Sequence, residues 1–199
     1  MLTLNWQVDL SVWSKAKMTH LIKMRTLIFL FLFLLTLSVS AQQTIGNSDT
    51  LLSVSKDRYS LSYPKSWTID TSKMFGMDIL RRSPKTDSVD DFIENMNVFV
   101  QDLHGQAYTL SRMGQESENQ IKNMVTNVKI IESKLDSTNS LQCYILKYSG
   151  RQGKFLLTII QRYYLKNEVG YALTFTVKNG KETGYISLAE KIFISFKLH

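Results

Sequence analysis

The sequence predicts an α+β domain, a mostly antiparallel β-sheet flanked by helices, and three observations carry that prediction. Alternating apolar and polar residues recur from Tyr59 onward, the period-two signature of half-buried strands. Two stretches instead space their apolar residues by three and four, as amphipathic helices do. The links DSTNS (136–140) and SGRQG (149–153) are too short for crossover connections, so the strands they join are antiparallel neighbours. At 199 residues and 44% hydrophobic content the chain matches one globular domain, with no internal repeat, and disordered, collagenous and disulfide-scaffold classes are excluded.

The elements follow in order. Residues 42–56, rich in Gln, Thr, Ser and Asn, read as a flexible lead-in, and the domain spans 57–199. Tyr59, Leu61 and Tyr63 alternate with Ser60 and Ser62 in a strand that Pro64 ends, before a short strand around Trp67. Met77–Arg82 is the next strand, and the polar stretch SPKTDSVDD is a loop. Asn95–Leu103 carries apolar groups on both faces, which places it inside the sheet. Leu110, Met113, Ser117, Ile121, Met124, Val125 and Val128 form one face of a helix that Thr109 or Ser111 caps. Strands over Lys129–Leu135, Leu141–Tyr148 and Phe155–Leu165 precede a fourth over Tyr171–Val177. Tyr185, Leu188, Ala189, Ile192, Phe193 and Phe196 then share the buried face of a closing helix. The order is β-β-β-β-α-β-β-β-β-α.

The N-terminal segment reads as an export signal. Leu27–Val39 is an uninterrupted apolar run preceded by Lys15, Lys17, Lys23 and Arg25 and followed by Ser40 and Ala41, in the order of a cleavable signal peptide. The run is shorter than the ~20 residues a spanning helix needs, so cleavage after Ala41 is expected, with no stable membrane span afterwards. Met18 and Met24 both precede the run, so residues 1–17 are set aside from the fold. The formal charge of +7 loses +3 with residues 1–41 and becomes +4, which does not indicate nucleic acid. A single cysteine, Cys143, reads as a small buried hydrophobe in a periplasmic or extracellular protein that folds without disulfides.

Motifs for chemistry are sparse. The mature part holds only His104 and the terminal His199, and His104 beside Gly105 reads as a surface-turn residue. No G-x-S-x-G, phosphate-binding glycine loop, dinucleotide fingerprint or zinc spacing occurs, so no catalytic residue is assigned, no cofactor is implied and an enzyme would need an unconventional site. The most metal-like group is Asp87, Asp90, Asp91 and Glu94, since calcium takes several carboxylate oxygens. It lacks the ordered D-x-[DN]-x-[DN]-G spacing and reads as a solvated acidic loop. Arg81, Arg82 and Lys85 likewise read as a solvated basic group. Tyr59, Tyr63, Trp67, Tyr163, Tyr164, Tyr171 and Phe175 are a candidate groove lining, but strand alternation makes most of them core. Tyr163 and Tyr164, adjacent in a strand, face opposite sides, so at least one ring leaves the main core face.

The opening Tyr59-Ser-Leu-Ser-Tyr63-Pro64-Lys-Ser-Trp67 resembles the Y-x-hydrophobic-x-Y-P-x-x-W start of PsbP-like proteins, a group that includes DcrB-like exported bacterial proteins. The ending Ile192-Phe-Ile-Ser195-Phe196-Lys197 is similar to their closing helix and S-F-K tail, and the strand Gly170–Thr176 lies between in matching order. This resemblance, covering 57–198, implies an antiparallel sheet sandwiched between helices and an exported accessory protein whose partner is an envelope protein or complex. A small-molecule or divalent-metal carrier is the alternative. Neither photosynthesis nor a metal ligand set transfers to residues of this chain.

Overall fold

In the computed structural model, the described residues are 50–70, 76–138 and 140–199. The predicted leader and its cleavage point lie outside them. Strands β1 (Leu51–Ser55), β2 (Tyr59–Pro64), β3 (Thr68–Ile69), β4 (Ile79–Arg82) and β5 (Asn95–Asp102) precede helix α1 (Leu110–Met124). Strands β6 (Thr126–Thr138), β7 (Leu141–Gln152), β8 (Phe155–Lys166) and β9 (Val169–Lys178) then lead into helix α2 (Glu182–Ser195) and strand β10 (Lys197–Leu198). A seven-stranded antiparallel sheet runs β3-β4-β5-β9-β8-β7-β6, and β1-β2-β10 form a second, three-stranded sheet. The protein is therefore an α+β sandwich.

Both faces of the large sheet are covered, which is why β8 and β9 are buried almost throughout. On one face Tyr185, Ala189, Ile192 and Phe193 of α2 pack with Ile145, Ile160, Tyr164, Leu173, Phe175 and Val177. On the other, α1 lies over β8, β7 and β6, and the interface is tight enough to require glycine at several points. A Cβ on Gly114 would stand 2.2 Å from the Tyr144 ring, one on Gly170 2.9 Å from Met113 and one on Gly150 2.3 Å from Val125. As expected, β5 lies inside the sheet between β4 and β9, and Tyr163 and Tyr164 point to opposite layers, only Tyr164 joining the α2-side core.

The two ends of the domain meet. Phe196 sits 5.5 Å from Tyr59 and 4.8 Å from Tyr164 between ring centroids. The Ser62 amide donates to Ser195 Oγ at 2.8 Å, and Lys197 and Leu198 pair with Ser60 and Tyr59. The opening and closing motifs of the sequence are thus a single structural unit, with Trp67 stacked 5.7 Å from Phe175 beside it.

Three expectations are corrected. Residues 51–55, placed in a flexible lead-in, form β1 and pair antiparallel with β2 from Leu51↔Pro64 to Ser55↔Ser60; their polar composition hides a strand whose partner supplies the order. Val128, placed on the helix, belongs to β6. Helix α1 starts as expected, with Thr109 Oγ1 accepting from the Arg112 amide, but it stops at Met124 because Val125 is extended and Asn127 turns left-handed at φ 55°. Phe196, expected on the buried face of the closing helix, lies just beyond it: the helix ends at Ser195, Phe196 is extended, and Lys197–Leu198 form a strand completed by β2.

Candidate functional site

The loop from Ser83 to Glu94 joins β4 to β5, and the Ser83 amide closes it by donating to the Glu94 carbonyl at 2.8 Å. The four candidate metal ligands go to separate destinations. Asp87 is exposed and accepts the Val89 amide in a local turn at 2.9 Å. Asp90 is buried; Lys181 donates to its Oδ1 at 2.6 Å, and the Thr86 amide and hydroxyl both donate to its Oδ2 at 3.0 Å. Asp91 bridges Lys178 at 2.5 Å and Lys154 at 3.7 Å. Glu94 is wholly buried, 3.4 Å from the Ser83 hydroxyl that donates to it and 4.0 Å from Lys181.

Neighbouring carboxyls are consequently pushed in opposite directions. Burial raises the Glu94 pKa, and Lys181 at 4.0 Å offsets this only in part. Burial acts the same way on Asp90, but the bonds from Lys181 and Thr86 outweigh it and hold that carboxyl below its ordinary value. Asp91 is lowered chiefly by its bond to Lys178. Among the described residues no group of three or more His, Cys, Asp or Glu stands close enough to hold a metal ion. The acidic loop is a clasp. Its anchors, Lys154, Lys178 and Lys181, come from the β7–β8 turn and the β9–α2 junction, far away in sequence, which corrects the reading of a solvated loop. No local signal marks them.

The basic group is corrected for the same reason. Arg81 is buried with its guanidinium 3.7 Å above the Tyr63 ring, and Arg82 pairs with Asp70 at 2.9 Å. Burial lowers the Arg81 pKa. Six of the seven candidate groove aromatics are buried and only Tyr63 is partly open, so they build the interior rather than a groove. His104 stands in an exposed turn, 2.7 Å from Glu168, as expected. Cys143 is fully buried in the α2-side core.

A polar row on the α1 side of the sheet went unread. The Tyr163 hydroxyl donates to Gln161 Oε1 at 2.8 Å, and Gln161 Nε2 donates to Thr174 Oγ1 at 3.2 Å. The register continues the row from Thr174 to Asn97 and, one step along, from Thr176 to Asn95, all buried. Among the described residues the buried side-chain oxygens of Asn95, Asn97 and Gln101 have no hydrogen-bond partner, three acceptors on one face of β5. Each such group carries a desolvation cost of about 1–3 kcal/mol. The available signal was Thr174 and Thr176 alternating with Leu173 and Phe175 in a strand buried on both sides.

An antiparallel sheet with one helix on each face, its first and last motifs locked together, is the sandwich that the resemblance to PsbP-like proteins implies. Cyanobacterial PsbP (CyanoP) from Synechocystis sp. PCC 6803 superposes with a TM-score of 0.58 at 16% identity, over 79% of this chain and 98% of that one. LpqN, involved in cell envelope biogenesis of Mycobacterium tuberculosis, is similar with a TM-score of 0.51 at 11% identity, over 79% of this chain and 88% of that one. The Saccharomyces cerevisiae Ran-binding protein Mog1p gives 0.51 at 10% identity, over 76% and 96% of the two chains. No protein-family model matches the sequence, and no curated protein matches it. At these identities the likeness is one of fold. Among the described residues no helix is long and apolar enough to cross a membrane.

Proposed function

We propose that this chain is an exported, non-enzymatic binding or accessory protein of the cell envelope, cleaved after Ala41, which docks on an envelope protein or complex through its sheet face or edges. The observation that carries this reading is the fold shared with CyanoP and the envelope-biogenesis protein LpqN. The side chains support it as well: Asp90, Asp91 and Glu94 of the acidic loop are engaged with lysines instead of converging on an open site. The test is pull-down from crosslinked native envelope with a C-terminally tagged chain and an unrelated exported control, read by mass spectrometry. The expected result is reproducible enrichment of one envelope complex, with mature peptides starting at Gln42. Recovery of the bait alone overturns the reading.

The three unpartnered acceptors on β5 favour a second reading, a carrier for a small molecule rich in hydrogen-bond donors. A thermal-shift screen of such molecules checks it, with Asn97→Leu expected to abolish any shift. The metal version predicts heat with calcium or manganese in calorimetry, whereas lysine-held carboxylates predict none beyond dilution.

A further inference from the structure

The two edges of the seven-stranded sheet differ. Among the described residues strand β3 ends one side with two residues, a protected edge, whereas β6 ends the other with thirteen. An open edge presents unpaired N–H and C=O groups to another strand. Ile131 and Leu135 stand exposed on β6, at 50% and 54%. Between them the order is apolar, acid, serine, base, apolar: Ile131, Glu132, Ser133, Lys134, Leu135.

That order is self-complementary when the strand runs against its own copy. A dyad perpendicular to the sheet preserves its faces, so opposed residues differ by an even number of positions. Centred on Ser133, it sets Ile131 against Leu135 of the second copy and Glu132 against Lys134, twice each. Such cross-strand apolar and opposite-charge pairs stabilise antiparallel neighbours. Centred on Lys134, it would oppose two lysines and set Glu132 against Asp136. Centred on Leu135, it matches charges but leaves Ile131 uncovered. Lys134 already reaches Glu132 at 2.9 Å and Asp136 at 3.1 Å within its own chain, so the copy's Glu132 replaces one of two existing anions. Register shifts relative to β7 lie at Thr126–Lys129 and Ile130–Glu132, the second leaving Ile131 itself without a β7 partner at the start of the proposed segment, while Glu132–Thr138 pairs without interruption. We propose that β6 is a self-association edge, joining two copies into one continuous antiparallel sheet about Ser133. This is independent of the accessory reading.

Full chain in mild detergent, carrying either Ile131→Cys or Leu135→Cys and distinguishable tags, tests the register. Opposed positions lie with Cα atoms about 4.5–5.5 Å apart, within the ~7 Å that a disulfide spans. Like positions of the two copies lie about 13 Å apart, four strand residues away. Mild oxidation is therefore expected to give the mixed Ile131→Cys/Leu135→Cys disulfide and neither like pair. In sedimentation equilibrium, wild type is expected at the mass of two chains, Leu135→Lys at the mass of one, and Val89→Lys, a change on the distant exposed loop, at two. A monomeric wild type overturns the proposal. So do like-pair crosslinks as strong as the mixed one, no mixed crosslink from variants that melt like wild type, or dissociation by Val89→Lys equal to that by Leu135→Lys.

Discussion

The two faces of the large sheet are built from different materials. Under α2 the layer is mainly apolar and aromatic, with Tyr59, Tyr164 and Tyr171 each within 6.1 Å of Phe196 in tilted and edge contacts, and its buried Thr158 and Arg162 are bonded to Glu182 and Glu190 of α2. Under α1 the layer mixes Leu146, Ile159 and Tyr163 with buried Asn95, Asn97, Gln161, Thr174 and Thr176. Aromatic edge contacts add to area burial, so the first face holds the fold. Buried polar groups stabilise only when satisfied, and several acceptors on the second are not. A protein keeps such a face at a cost in stability, which makes it the better place to look for recognition.

The largest effect should come from the α2 side. Phe196→Ala removes a 3%-exposed ring from the junction of both sheets, and chemical denaturation should record a loss of about 3–5 kcal/mol. On the α1 side, Gly114→Val drives a side chain into the Tyr144 ring, and the same measurement should give about 1–3 kcal/mol from overpacking. A comparable loss from both would erase the distinction between a core that must be filled and a helix that must approach closely.

Glu94→Gln tests the clasp beneath the first face. Because burial raises its pKa, Glu94 holds its proton more tightly folded than unfolded; the stability this brings is complete below 4.5, its ordinary value, and is lost as pH rises through the folded value. The glutamine variant should therefore melt a few degrees higher than wild type at neutral pH and lose that advantage as pH falls toward 4.5. Asp90, whose pKa is lowered, behaves oppositely: its contribution is present above 3.8 and disappears as pH falls through its folded value. Asp90→Asn should destabilise at neutral pH, and equal pH slopes for the two variants would refute the assignment. The smallest effect is expected for Asn97→Leu, neutral or stabilising by up to about 1 kcal/mol, since it removes a buried acceptor that has no donor. A clear loss of stability would mean that Asn97 is satisfied.

Element type and order were legible because they rest on local periodicity: the alternation through Tyr59–Tyr63 and Tyr171–Val177 and the helical spacing from Tyr185 to Phe193 survive in the structure unchanged. The misread places depend on distant partners. Leu51–Ser55 is a strand only because β2 pairs with it, and Lys197–Leu198 only because β2 has a second free side. The acidic loop looked solvated because Lys178 and Lys181 lie about ninety residues away, beyond any local pattern.

From the amino-acid order alone came the fold class, the export signal as an expectation, the burial of Cys143 and the absence of recognisable catalytic motifs. These follow from composition and short-range spacing, where each residue's neighbours are known in advance. Tertiary structure decided which charges neutralise one another, which polar side chains are buried on β5 and β9, and which strand is left as the long open edge. Those properties belong to pairs of residues, and a pair's interaction depends on a distance that only the folded chain sets.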